Sequence, residues 1–85
     1  MENIIVTVTN HTRSYLYDLE VPTNITIDKL KDDIVETLNG YKPELFLRNV
    51  STELYCNRLG RQILHEETLQ SAGVWNGDYI TIIEV

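Results

Sequence analysis

The sequence predicts a single α+β domain over residues 1–85, a mixed five-stranded sheet with one main helix across one face. Three observations carry this. Only one stretch, residues 26–39, repeats its apolar residues with helical period. Most of the other apolar residues fall in short, β-branched, alternating runs. The order is strand, strand, helix, strand, short strand, strand, so the helix is the crossover that sets a later strand parallel to its neighbour.

The first run, NIIVTVT at 3–9, places Ile4, Val6 and Val8 on one side and Ile5, Thr7 and Thr9 on the other. Asn10 to Arg13 reads as a turn. The second run, SYLYDLEV at 14–21, turns Tyr15, Tyr17, Leu19 and Val21 one way and Leu16, Asp18 and Glu20 the other. Two alternating runs joined by a short polar link make an antiparallel hairpin. Pro22 closes the second strand, since it cannot donate to a ladder.

The helix reads TIDKLKDDIVETLN. Ile27, Leu30, Ile34 and Leu38, with Val35, form its buried stripe; Lys29, Lys31, Asp32, Asp33 and Glu36 fill the rest. Thr26 is the expected N-cap, Asp28 suits the positive end of the dipole, and Gly40 is the expected left-handed C-cap. Residues 41–52 read as a loop with local structure, either a helical turn opened by Pro43 or a strand. Residues 53–58, ELYCNR, read as a strand with Leu54 and Cys56 inward. Gly60 marks a turn and residues 62–64 a very short strand. Residues 68–73, TLQSAG, read as one helical turn with Leu69 buried and Gly73 ending it. Asn76-Gly77-Asp78 is a turn by composition. The last strand, YITIIEV, points Ile80 and Ile82 inward and Tyr79, Thr81 and Ile83 outward.

Composition narrows the function. Thirteen acidic against seven basic residues give a net charge of −6, which argues against nucleic acid and anionic lipid as partners and favours a protein partner. No apolar run approaches the ~20 residues that span a bilayer, and the N-terminus lacks the basic region of a signal peptide. A cytoplasmic protein without direct membrane insertion is the expectation. One cysteine excludes an internal disulfide and a multi-cysteine zinc site. No catalytic cluster emerges. Cys56 alternates inward and reads as a small hydrophobe. His11 and His65 show no metal-ligand spacing, and Asp32, Asp33 and Glu36 read as a solvated helix face. Neither a cofactor nor an enzymatic activity is expected. A one-helix sheet leaves its other face open. Tyr55, Tyr79 and Ile83 are the expected partner-binding residues there, with Leu16 and Ile5 nearby and Trp75 beside them. The sequence leaves the oligomeric state open.

Several of these residues carry a resemblance. Gly60-Arg61-Gln62-Ile63-Leu64 is similar to the G-K-Q-L turn of ubiquitin-like β-grasp proteins. Thr68-Leu69, Ala72-Gly73-Val74 and Asn76-Gly77-Asp78 before an apolar strand resemble the ending of that family. The Tyr17-Asp18-Leu19, Val21 strand and the Gly73-Val74-x-Asn76-Gly77-Asp78 turn resemble most the bacterial YukD/EsaB group, over nearly the whole chain. The resemblance implies a β-grasp fold and a non-enzymatic accessory protein of type VII secretion, acting by contact with a secretion-machinery component. Conjugation through a C-terminal Gly-Gly, or sulfur carriage on a thiocarboxylate, is not expected from a sequence ending Glu84-Val85. A ubiquitin-like modifier or sulfur carrier with a processed or extended C-terminus is the alternative. Asn57 stands where ubiquitin's recognition patch has an aliphatic residue, so recognition by ubiquitin-binding domains is not expected.

Overall fold

The computed structural model describes residues 3–10, 12–41 and 51–84. Its elements are β1 (Asn3–Asn10), β2 (Leu16–Pro22), α1 (Ile27–Tyr41), β3 (Thr52–Cys56), β4 (Arg61–Ile63), α2 (Leu69–Ala72) and β5 (Tyr79–Glu84). The strands form one sheet in the order β2-β1-β5-β3-β4. β1 pairs antiparallel with β2, opposing Val6 to Leu19, and parallel with β5, opposing Val8 to Ile80. β3 pairs antiparallel with both β5 and β4.

Alternation sorts the side chains as the sequence predicts. Val6, Val8, Leu54, Cys56, Ile80 and Ile82 enter the core from the sheet, and Ile27, Leu30, Ile34 and Leu38 of α1 meet them. Ile27 and Leu38 have no exposed surface at all. Burying such a side chain contributes about 1.5–3 kcal/mol. Tyr15, Tyr17 and Leu19 extend this core under β2.

The start of α1 is satisfied from far along the chain. The N–H groups of Ile27 and Asp28 donate to the carbonyls of Glu67 and His65, while the Thr26 carbonyl accepts from Lys29 and Leu30. The far end differs from expectation. Gly40 lies inside α1, which continues to Tyr41, and it is absent from the glycines with positive φ. The two further residues keep Tyr41 stacked on Tyr17, with ring centroids 5.6 Å apart. Side-chain packing thus outweighs the local preference of glycine to end a helix.

Gly73 does cap a helix, with φ 86° after α2. Thr68 and Ser71 close a reciprocal box at its start, each hydroxyl accepting from the other's backbone N–H. β2 begins at Leu16, because the polar turn runs on to Ser14, and β4 sits one residue earlier than expected. β3 stops at Cys56, because residues 57–60 form a turn closed by the Gly60 N–H on the Cys56 carbonyl. Pro43 and the expected loop around it fall outside the described residues.

Candidate functional site

The face of the sheet opposite α1 carries no described helix, and cross-strand register orders its side chains. One row runs Asp18, Thr7, Tyr79 across β2, β1 and β5. The next runs Leu16, Thr9, Thr81, Tyr55, Gln62, and a third opposes Ile83 to Glu53. Tyr55 therefore lies against β5 on the row between Tyr79 and Ile83. Tyr79 is 45% exposed, whereas Tyr55 and Ile83 are half-buried.

The face is less apolar than its residue types suggest. Thr7 donates to Asp18 at 2.7 Å and Thr81 to Asn57 at 2.7 Å, so polar pairs divide Leu16 and Ile5 from the tyrosines. Thr81, expected outward, is only 9% exposed, and Thr9 beside it 1%. Thr9 resolves its burial by donating to the Tyr15 carbonyl at 2.7 Å.

Trp75 stands in the loop before β5 and is 63% exposed. It is not free. The Arg58 guanidinium lies 3.7 Å from its ring centroid, a cation–π stack. Arg58 Nε donates to both Asp78 oxygens, at 2.9 and 3.1 Å, and its terminal nitrogen donates to the Gly73 carbonyl at 2.5 Å. Asp78 also accepts from the Trp75 N–H at 2.8 Å, and the Cys56 thiol lies 3.8 Å from the same oxygen. Burial pushes the Asp78 carboxyl upward, but Arg58 and the Trp75 N–H outweigh it and hold the carboxyl below its ordinary range. Cys56 is thus inward as expected, with an acidic neighbour that its sequence surroundings do not reveal. The sequence reading missed Arg58 and Asp78 as a pair: they are 20 residues apart and Asp78 reads only as a turn residue.

A second cluster closes the β3–β4 side. Glu53 accepts from Gln62 at 2.8 Å, contacts His65 Nε2 at 2.5 Å and pairs with Lys31 at 3.4 Å. The His65 contact, with Lys31, keeps the Glu53 carboxyl below its ordinary value despite partial burial. His65 Nδ1 also lies 3.6 Å from Asp28. So His65 does converge with carboxylates, which its spacing in sequence did not suggest. Among the described residues no group of three or more His, Cys, Asp or Glu is placed to hold a metal ion. The cluster ties α1, β3 and the loop after β4 together.

Two adjoining depressions mark the face, of about 320 and 390 Å³. One is floored by Tyr55, Thr81 and Ile83, the other by Tyr79, Gly77 and Asp78; Arg13 and Asn57 line both. A smaller groove of about 130 Å³ lies between β2 and α1.

The family described as "WXG100 protein secretion system (Wss), protein YukD" matches residues 4–82. The chain belongs to the YukD family. The match runs from Ile4 in β1 to Ile82 in β5 and so includes part or all of every strand. Solved structures place the fold among ubiquitin-like domains, confirming the β-grasp architecture. The ubiquitin-like domain of the Mycobacterium tuberculosis type VII secretion protein ECCD1 is 17% identical, with a TM-score of 0.75, covering 98% of this chain and 99% of that one. The ubiquitin of Caldiarchaeum subterraneum is 22% identical, with a TM-score of 0.69, covering 99% and 95%. A chain of the MycP5-free ESX-5 inner membrane complex matches at 15% identity and a TM-score of 0.80, covering all of this chain and 21% of its own length. No curated protein matches the sequence. The family match gives the chain a secretion-associated, ubiquitin-like role. No described helix is long and apolar enough to cross a membrane.

Proposed function

We propose that this chain is a non-enzymatic, cytoplasmic adaptor of a WXG100-type secretion system that docks its open sheet face onto a protein of the secretion machinery. Tyr55, Tyr79 and Ile83 form the contact, and Trp75, held by Arg58, extends it past the end of β5. The observation that most supports this is that no described helix covers this face: α1 and α2 both pack into the core, leaving Tyr79 45% exposed in mid-sheet. Tyrosine, tryptophan and arginine are the residue types that anchor protein interfaces. A neighbour of the same fold forms part of an inner-membrane complex, which favours a docking role over a catalytic one.

The test is affinity purification from cells carrying the secretion locus, with the tagged chain as bait. The Tyr79→Ala/Ile83→Ala double variant should lose the secretion-machinery component about 30-fold or more, as truncated anchors do, while keeping its far-ultraviolet spectrum. Undiminished capture would move the contact elsewhere. Incubation with an activating enzyme and ATP separates the modifier reading: an adenylate or thioester would favour it.

A further inference from the structure

We propose that Arg13 selects the partner by reading a carboxylate, so that the segment docking on the open face is acidic and aromatic or apolar, although the molecule carrying the face is itself acidic. This rests on the docking face proposed above and states what that face recognises.

The first reason is that Arg13 is uncommitted among the described residues. Arg58 is paired with Asp78 and Arg61 with Glu67. Arg13 is exposed and forms no side-chain hydrogen bond or ion pair with any described residue, in a chain of net charge −6. The second is its place. It lines both depressions, between the Tyr55–Ile83 floor and Tyr79. A carboxylate paired with it would put flanking side chains over tyrosines on either side. The planar guanidinium matches a carboxylate with two parallel hydrogen bonds, which a lysine does not.

The third is how it is held. The Asn10 carbonyl accepts from the Arg13 N–H at 3.0 Å, and the Asn10 side chain grips both the N–H and the hydroxyl of Ser14. This turn sets Arg13 at φ 54°, the only positive φ on a described residue other than glycine. Glycine would fit that conformation with less strain. Arginine at so strained a position fits a role for its side chain.

The charge of the face differs from that of the whole. Asp32, Asp33 and Glu36 lie on α1, behind the sheet. Glu53 is already engaged by Lys31, His65 and Gln62, and Asp78, on the floor of one depression, by Arg58. Asp18 and Glu20 lie on β2, two strands or roughly 10 Å from β5, where they accept from Thr7 and Asn3. Net charge alone favours a basic partner; the local arrangement favours an acidic one.

The two are separable by selecting a random dodecapeptide display library on the immobilised full chain. The expected winners carry Asp or Glu next to Tyr, Trp or Leu, and synthetic copies shift the amide resonances of Tyr55, Asn57, Tyr79 and Thr81. Their affinity should fall about tenfold for Arg13→Gln, and about as much when the peptide's Glu is replaced by Gln. Arg13→Lys should rescue in part. Arg13→Gly should keep or raise thermal stability and still lose the tenfold, which separates recognition from a structural role. Basic winners, no winners, or wild-type affinity in Arg13→Gln would overturn the proposal. Winners lost in Tyr79→Ala/Ile83→Ala but indifferent to Arg13→Gln would sink it while leaving the docking face standing. Winners indifferent to both would remove the docking face as well.

Discussion

Asp78 is a carboxylate that is 8% exposed yet serves three donors or near-donors at once: Arg58, the Trp75 N–H and the Cys56 thiol. Removing it leaves Arg58 without its ion partner and a loop N–H without an acceptor. Asp78→Ala should therefore cost about 1–3 kcal/mol, read as a lower urea midpoint. Because Arg58 then loses its hold, the Trp75 emission should change in the same variant. Asp78, Glu53 and Glu67 all have carboxyls below their ordinary range. A carboxyl that binds protons less readily folded than unfolded stabilises fully above its unfolded pKa, near 4, and loses that stabilisation as pH falls through the folded value. Stability should thus be level near neutrality and fall below about pH 4. Asp78→Asn and Glu53→Gln should each flatten that acid limb in urea titrations. A profile unchanged in both variants would count against these ion pairs.

At the scale of elements, α1 and α2 show the two fates of a glycine near a helix end. Gly40 stays helical, and a Cβ built on it meets nothing within 4 Å. Gly40→Ala should raise stability by about 0.5–1 kcal/mol, through the entropy of the unfolded chain. Gly73 sits at φ 86°, also in open space. Gly73→Ala should destabilise by about 1 kcal/mol, from backbone strain alone. Thermal melts of the two single variants should move in opposite directions. Leu38→Ala, at a site with no exposure, should cost about 2–5 kcal/mol. Destabilisation by both Gly40→Ala and Gly73→Ala would mean that α1 ends earlier than Tyr41.

For the whole molecule, β5 is the member on which the sheet depends. β1 and β2 pair with each other, as do β3 and β4; only β5 joins the two pairs. It also supplies Ile80 and Ile82 to the core and Tyr79 and Ile83 to the open face. A chain truncated after Asp78 should show no cooperative unfolding transition, since two separate strand pairs cannot bury α1 between them. The intact chain should unfold in one step by circular dichroism.

The periodicities were legible without coordinates. Alternation places Val6, Val8, Ile80 and Ile82 inward because a strand turns successive side chains to opposite faces, and the i, i+3, i+4 stripe commits Ile27, Leu30, Ile34 and Leu38 to one side of a helix. Those are local properties of the chain, as are the turns at Gly60 and Gly73. Exposure of Tyr79 followed from the same alternation. The polar partners were not legible: Arg58 with Asp78, Glu53 with His65, and the Glu67 and His65 carbonyls that receive the first N–H groups of α1 meet only when the strands align. Nor was the burial of Thr9 and Thr81, which depends on the parallel pairing of β1 with β5. Short-range spacing determines which way a side chain turns. Which groups it then faces is decided by segments distant in sequence, and only the folded sheet brings these together.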